Sequence, residues 1–481
     1  RLGYHWLVAD QFRMRCFRAF VAVLTCAVLH MVSGTRVALA QVSGIWTTND
    51  GRKIRASKTG VADAHPVRLF GMRNETLSFQ IVVPAGASGA RGVSLRSEGL
   101  SIADVEFFRE DAVLVEERSR GLVWKPGSLA EPTGLLGAIP DRLVPLAPGA
   151  GIDVAASQNQ VFWVDLWISP TAPAGVVMGR IVIEASAGCD GGCDIPVEID
   201  LLDRTMPDEM HAKSMVWFSA SDLGDDRVAA RYFPDPAAAS SEDKARLRLA
   251  HYWLARKHRL SFFGQHEGID EELDLLLSGR AFSEEMGYRG PGQGKGLDLL
   301  VLHAYGGEVA SKEASAILDK AKNYADLRDS FVYIMDEPAD TDREEINRRA
   351  EVSRPLRSFV TTLYTPKLDV DIFALLAGLY ARDNAAEGRR AGKAIWIYNG
   401  ERPFTGSFAI DDVAIAPRVN PWIQYMLEIP RWFYWEATYY DDFQGKRGAV
   451  DVGRVALNFT NRHGDRVNGD GLLMYPGRDL L

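Results

Sequence analysis

Residues 331–338 read Phe331-Val332-Tyr333-Ile334-Met335-Asp336-Glu337-Pro338, an apolar run that stops at two adjacent carboxylates and a proline. Such a run is a buried strand, and a buried strand has no physical reason to finish on two acids unless its end opens onto solvent or a site. Pro338 cannot extend the hydrogen-bonded ladder. The pair therefore marks a strand mouth. A blander reading stands beside this one: Asp336 or Asp340 caps the polar helix that holds Arg343, Glu344 and Glu345, since acids are favoured ahead of helices.

Outward from this stretch, apolar strands alternate with helical segments from residue 214 onward. Strands are expected at 215–219, 260–263, 299–303, 331–335, 359–363, 370–375, 394–398 and 432–438, and the spacing of Leu247, Ala250, Tyr252 and Leu254 predicts a helix over 241–257. Roughly eight strands in about 270 residues predict a (β/α)8 TIM-type barrel, which gathers its reacting groups at the C-terminal strand ends. A doubly wound sheet shares the alternation, but no G-x-G-x-x-G turn follows an early strand. Ahead of residue 203 the pattern differs. Short strands at 77–83, 105–109, 161–168, 176–185 and 195–202, separated by Gly, Pro and Ser, predict a β-sandwich. The Pro- and Gly-rich segment 125–151 reads as irregular loop. Composition shifts at Asp203-Arg204-Thr205-Met206-Pro207-Asp208, so the expected domains are a β-sandwich over 41–205 and a barrel over 206–481.

Of the 481 residues, 47% are apolar and 25% charged, and the net charge is −9. No basic stretch offers to neutralise phosphates, which argues against a nucleic-acid partner and for a neutral or weakly charged ligand. Met14-Arg15-Cys16-Phe17-Arg18 puts positive charge ahead of the apolar run 19–32, and Ala38-Leu39-Ala40 supplies the small residues of a cleavage site before Gln41. Residues 1–40 are thus expected to be upstream residues and a signal peptide, leaving a secreted or periplasmic chain with no membrane span after signal removal. In that compartment Cys189-Asp190-Gly191-Gly192-Cys193 reads as a tight loop clamped by a disulfide. Zinc would need a second ligand pair at suitable spacing, and none follows.

The glycine-rich run 290–296 fails the spacing of a phosphate loop, and no H-E-x-x-H or G-x-S-x-G pattern occurs. No metal or other cofactor is expected. Three later strand ends carry groups suited to a sugar: Tyr364, then Trp396-Ile397-Tyr398-Asn399-Gly400, then Trp432-Phe433-Tyr434-Trp435-Glu436. Sugars expose apolar C–H faces edged by hydroxyls, so aromatic platforms flanked by Asn and Glu complement both surfaces. The expected substrate-binding set is Tyr333, Tyr364, Trp396, Tyr398, Asn399, Trp435, Glu436 and His303. Each aromatic reads equally as barrel filling, and His266 and His303 equally as packing histidines. Paired carboxylates in a sugar-sized cleft are the usual equipment of glycoside hydrolysis.

Asn74-Glu75 with Ser78-Phe79-Gln80, Asn159-Gln160-Val161-Phe162-Trp163-Val164-Asp165 followed by Ala172-Pro173-Ala174-Gly175, the 333–338 and 396–400 stretches, and Asn468-Gly469-Asp470-Gly471 with Tyr475-Pro476-Gly477 resemble glycoside hydrolase family 123 and its wider relatives. The resemblance keeps the family's order over nearly all of the mature chain. It implies a β-N-acetylgalactosaminidase-like catalytic domain acting on a glycan or oligosaccharide by substrate-assisted, retaining hydrolysis. Asp336 and Glu337 match the family's consecutive acids on the fourth barrel strand. By this resemblance Glu337 protonates the glycosidic oxygen, and Asp336 holds the 2-acetamido N–H while its carbonyl oxygen attacks the anomeric carbon. Glu337 must then carry its proton near neutral pH, which burial and the adjacent charge would favour. The family continues beyond the Tyr-Pro-Gly segment into a helix, so the barrel is expected to be truncated at its C-terminus. Two alternatives remain open: a retaining glycosidase on a non-acetamido sugar with Glu436 as nucleophile, and a non-catalytic carbohydrate-binding envelope protein.

Overall fold

The computed structural model describes residues 44–58, 60, 66–87, 89–123, 134–184 and 193–477. Residues 1–40, read as upstream residues and a signal peptide, and Cys189 lie outside the described residues, while Cys193 is disulfide-bonded. Ten strands come first: β1 (Trp46–Asn49), β2 (Val67–Arg73), β3 (Thr76–Pro84), β4 (Ala90–Glu98), β5 (Ala103–Val115), β6 (Gly137–Pro145), β7 (Ile152–Val154), β8 (Asn159–Ile168), β9 (Gly175–Glu184) and β10 (Cys193–Thr205). They make two five-stranded sheets, ordered β1-β3-β8-β5-β6 and β2-β10-β9-β4-β7. Ile81, Phe162 and Val164 of the first sheet and Ile181, Val197 and Ile199 of the second are fully buried, as period-2 alternation requires of a one-sided core.

One expectation fails here. The segment read as irregular loop contains β6, which pairs antiparallel with β5 despite Pro140 and Pro145. β6 is the edge of its sheet, where a missing N–H can face away from the ladder. The β5–β6 register slips between Asp111 and Ala112, beside the residue opposite Pro140, so a bulge absorbs the mismatch.

The next eight strands form one parallel sheet: β11 (Lys213–Trp217), β12 (Phe262–Phe263), β13 (Leu299–Leu302), β14 (Asp329–Met335), β15 (Arg357–Val360), β16 (Ile372–Leu376), β17 (Ala394–Tyr398) and β18 (Arg431–Tyr434). Their spatial order is β12-β11-β18-β17-β16-β15-β14-β13, a near-closed barrel whose open seam lies between β12 and β13. Beyond that seam's upper end, the His303 N–H donates to the His266 carbonyl at 3.0 Å. Side chains alternate about the sheet. Phe331, Tyr333, Phe359, Trp396, Tyr398 and Phe433 fill the interior, whereas Val332, Ile334, Val360 and Ile395 face the surrounding helices. The helix Ser241–Lys257 starts on a capping box in which Ser240 and Asp243 exchange hydrogen bonds.

Two strands, β18 and β15, fall furthest short of their expected ends. β18 stops at Tyr434 because Glu436 folds its carboxylate back onto the Ala437 and Thr438 N–H groups, competing with the ladder. β15 stops at Val360, where Thr361 turns its hydroxyl to the end of β14.

Candidate active site

The carboxylate pair sits at the C-terminal end of β14, after a register slip against β15 between Tyr333 and Met335. Such an irregularity re-aims the side chains that follow it. The Tyr333 hydroxyl donates to Asp336 Oδ1 at 2.5 Å. The Thr361 hydroxyl donates to the same oxygen at 2.8 Å, and its Oγ1 accepts the Glu337 backbone N–H at 2.5 Å. The Tyr398 hydroxyl donates to Glu337 Oε1 at 2.6 Å. Tyr333 and Tyr398 are buried, and burial, followed by nearby acid charge, pushes both phenols above their ordinary range. They therefore stay protonated and remain donors. Asp336 accepts from a side chain of β14 and from Thr361, just beyond β15, rather than from a helix N-terminus, so capping does not account for it.

Asp336 and Glu337 are themselves exposed, contrary to the burial expected of Glu337. Pro338 and the bulge carry the chain out of the sheet at this point, so the carboxylates are anchored from below and open above. Glu337 has φ of 39°, a left-handed conformation that is costly for a residue with a Cβ. His303 (φ 53°), Tyr305 (φ 64°) and Asn399 (φ 56°), just beyond β13 and β17, share that conformation. Four such residues at one end of the barrel point to a site, because backbone strain persists where surrounding contacts enforce a functional geometry.

The structure gathers some of the other expected residues and not others. The Asn399 side chain braces the mouth: its Oδ1 accepts the Trp435 N–H at 3.2 Å. Trp435 lies tilted against Tyr439 with ring centroids 4.9 Å apart and donates from Nε1 to Asp470 at 3.2 Å. Glu436 is buried, and its Oε1 accepts the N–H groups of Ser219, Ala437 and Thr438 at 2.8–2.9 Å, together with the Thr438 hydroxyl. Burial raises its carboxyl to about 7 against the pull of those donors. His303 lines the mouth through its backbone turn.

Two expectations are corrected. Trp396 lies one layer below Tyr398 in the barrel interior, against Phe331 and Phe359 with centroids 5.5 Å from each, because residues two apart on a strand share a face at different depths. Tyr364 packs on Phe373 and beneath the helix Arg382–Arg390, in the shell between sheet and helices.

Thr361 and Tyr305 escaped the sequence reading. Tyr305 packs edge-on to Trp217 with centroids 5.5 Å apart and lies against Tyr333 at the same distance. Its hydroxyl donates to the Trp435 carbonyl, tying the end of β13 to that of β18 across the mouth. Burial, then the charges of Glu436, Asp336 and Glu337, hold that phenol well above its ordinary range. Their signals were faint: a hydroxyl closing a short apolar strand, and an aromatic before two glycines.

No family profile matches the sequence, and no curated protein matches it. Among solved structures, a Bacteroides ovatus GH5 xyloglucanase in complex with a XXXG heptasaccharide is 10% identical over 82% of this chain and 93% of its own, with a TM-score of 0.20. A family 123 glycoside hydrolase from Clostridium perfringens, from work on glycolipid glycan hydrolysis, is 12% identical over 91% of this chain and 84% of its own, with a TM-score of 0.60. The fold of this chain is that of the family 123 glycoside hydrolase.

Proposed function

We propose that this chain is a glycoside hydrolase that cleaves β-N-acetylhexosaminides, galactosaminides among them, by substrate-assisted catalysis with retention. One observation carries the reading: two consecutive carboxylates at the C-terminal mouth of a parallel barrel, each held by its own buried phenol and both tied to Thr361. Asp336, fixed through Oδ1, presents its second oxygen to the substrate and accepts the 2-acetamido N–H. That contact raises electron density on the acetamido oxygen, which displaces the leaving group at the anomeric carbon while Glu337 protonates the departing oxygen. Glu337 then deprotonates the water that opens the cyclic intermediate, restoring the β configuration. Because the acids are open to solvent, the sugar ring itself closes over them.

The alternative with Glu436 as nucleophile is disfavoured, since its Oε1 is committed to three backbone N–H groups and a hydroxyl that shape the adjacent turn. Glu337→Gln should lower hydrolysis of an aryl N-acetylhexosaminide by roughly 10²–10⁴-fold while sugar binding persists. An unchanged rate would overturn the assignment. Replacing the substrate acetamido group by hydroxyl should abolish turnover, whereas a Glu436 nucleophile would leave it intact. Binding without any released sugar would favour the non-catalytic alternative.

A further inference from the structure

A polar hollow of about 430 Å³, with neither acid of the pair in its lining, is bordered by Arg120, Lys446, Arg462 and Arg466, with Asp465, Asn461 and Thr460 in its wall. Four cations thus face one carboxylate in a chain whose net charge is −9. The wall's neutral groups are already engaged: Asn461 Nδ2 donates to Asp465 at 2.7 Å, and the Thr460 hydroxyl to Asp442 at 2.7 Å. Arg466 is paired with Glu117 at 2.6 Å, while Arg462 turns to the His463 ring at 3.2 Å. Among the described residues Arg120 and Lys446 have no ion-pair partner, and both are exposed.

The backbone makes this concentration of charge costly. Arg120 and Arg466 are directly opposed across an antiparallel bridge and exchange both backbone hydrogen bonds, at 2.8 and 3.1 Å. Side chains so placed project from one face, and like charges there repel. A pair of this kind is stabilised by an anion between the guanidinium groups, which offer planar, bidentate donors to oxyanions. The pocket also adjoins the aromatic wall of the mouth. Phe459, next to Thr460, has its ring centroid 5.7 Å from that of Trp435. The Gln444 N–H, at the pocket edge, donates to the Tyr439 hydroxyl at 3.4 Å.

We propose that this pocket binds an oxyanion substituent, a sulfate, phosphate or carboxylate, carried on the glycan whose neutral sugar occupies the strand mouth. The proposal rests on the glycosidase reading for its placement and sharpens it by making the substrate an acidic glycan. Calorimetry on the full chain carrying Glu337→Gln, so that the ligand stays intact, would compare an N-acetylhexosamine tetrasaccharide bearing one sulfate ester with its desulfated form. The sulfated form should bind about tenfold more tightly. The advantage should shrink with added salt and with inorganic sulfate as competitor, and vanish when Arg120→Ser and Lys446→Ser are combined. Hydrolysis of a neutral aryl glycoside by wild type and by that double variant should match, confirming that the pocket changes leave the fold intact. Equal affinities for the two tetrasaccharides overturn the proposal, including when inorganic sulfate alone binds. A sulfate preference that survives the double variant also overturns it. If the preference holds and disappears with the two serines while wild type releases no sugar from any substrate, the pocket stands and the catalytic reading falls.

Discussion

One hydroxyl touches both candidate catalytic residues. Thr361 is buried, donates to Asp336 Oδ1 and accepts the Glu337 N–H, so its Oγ1 fixes a carboxylate and a left-handed backbone together. Thr361→Val keeps the shape and removes both hydrogen bonds. Its expected effect is a fall in kcat of about 10–100-fold with KM nearly unchanged, because misplacing a reacting group by a fraction of an ångström costs that much. Thr361→Ser should recover most of the rate. If valine lowered only the melting temperature and left kcat intact, Thr361 would be a packing residue. The site shows how far a sequence informs at this scale. The acids were legible because two charges ending an apolar strand conflict with burial. Tyr398 was legible as an aromatic at a strand end, but nothing in its neighbours told it from Trp396, which sits one layer deeper and fills the barrel. Depth along a strand depends on where the partner strands start, a property of the sheet rather than of the local residues.

At the scale of elements, the end of the barrel opposite the mouth is held by a buried cation. Arg431, at the start of β18, is fully buried; its Nη2 donates to Asp298 and Asp329 at 2.8 Å each, and its Nη1 to the Ser214 carbonyl at 2.5 Å. One guanidinium thereby joins the starts of β11, β14 and β18 and the segment entering β13. Arg431→Met would take from Asp298 its guanidinium partner and leave Asp329 only Arg357, at 3.3 Å, in a largely enclosed space, and should cost about 3–5 kcal/mol in denaturant unfolding. A loss below about 1 kcal/mol would mean that water replaces the guanidinium without penalty. No sequence pattern could announce this group, since its partners lie 102 and 133 residues away. The strands it joins were legible, because each is a short apolar run between polar helices, and β17 keeps its expected limits at 394–398. β6 was hidden because prolines argue against a strand except at a sheet edge, and edge status appears only after the sheet has been assembled.

For the molecule as a whole, buried carboxyls set an unusual dependence of stability on pH. Burial, reinforced by the charge of Asp141 and opposed by Lys53, raises Glu110 to about 8, and its buried Oε2 has no hydrogen-bond partner among the described residues. Burial likewise raises Glu436 to about 7 and Asp470 to about 6. At lower pH an opposite contribution intervenes: buried His251 is lowered to about 4, so the unfolded chain takes up a proton that the folded chain refuses, which offsets part of the carboxyls' effect. That contribution is half gone at pH 6.5 and spent above about pH 7.5. The unfolded carboxyls are already ionised, whereas the folded state still holds protons on Glu436 and Glu110. The folded state then binds more protons than the unfolded one, and stability must fall as pH rises through 7 and 8. The expected loss between pH 6.5 and 8.5 is about 2 kcal/mol, read from urea unfolding at both values. Glu110→Gln should remove most of the slope and stabilise the protein at pH 8.5, since the amide carries no charge into that enclosed position. A flat profile in the wild type, or a slope that Glu110→Gln leaves in place, would show that water reaches Glu110 and that its carboxyl ionises freely in the folded chain.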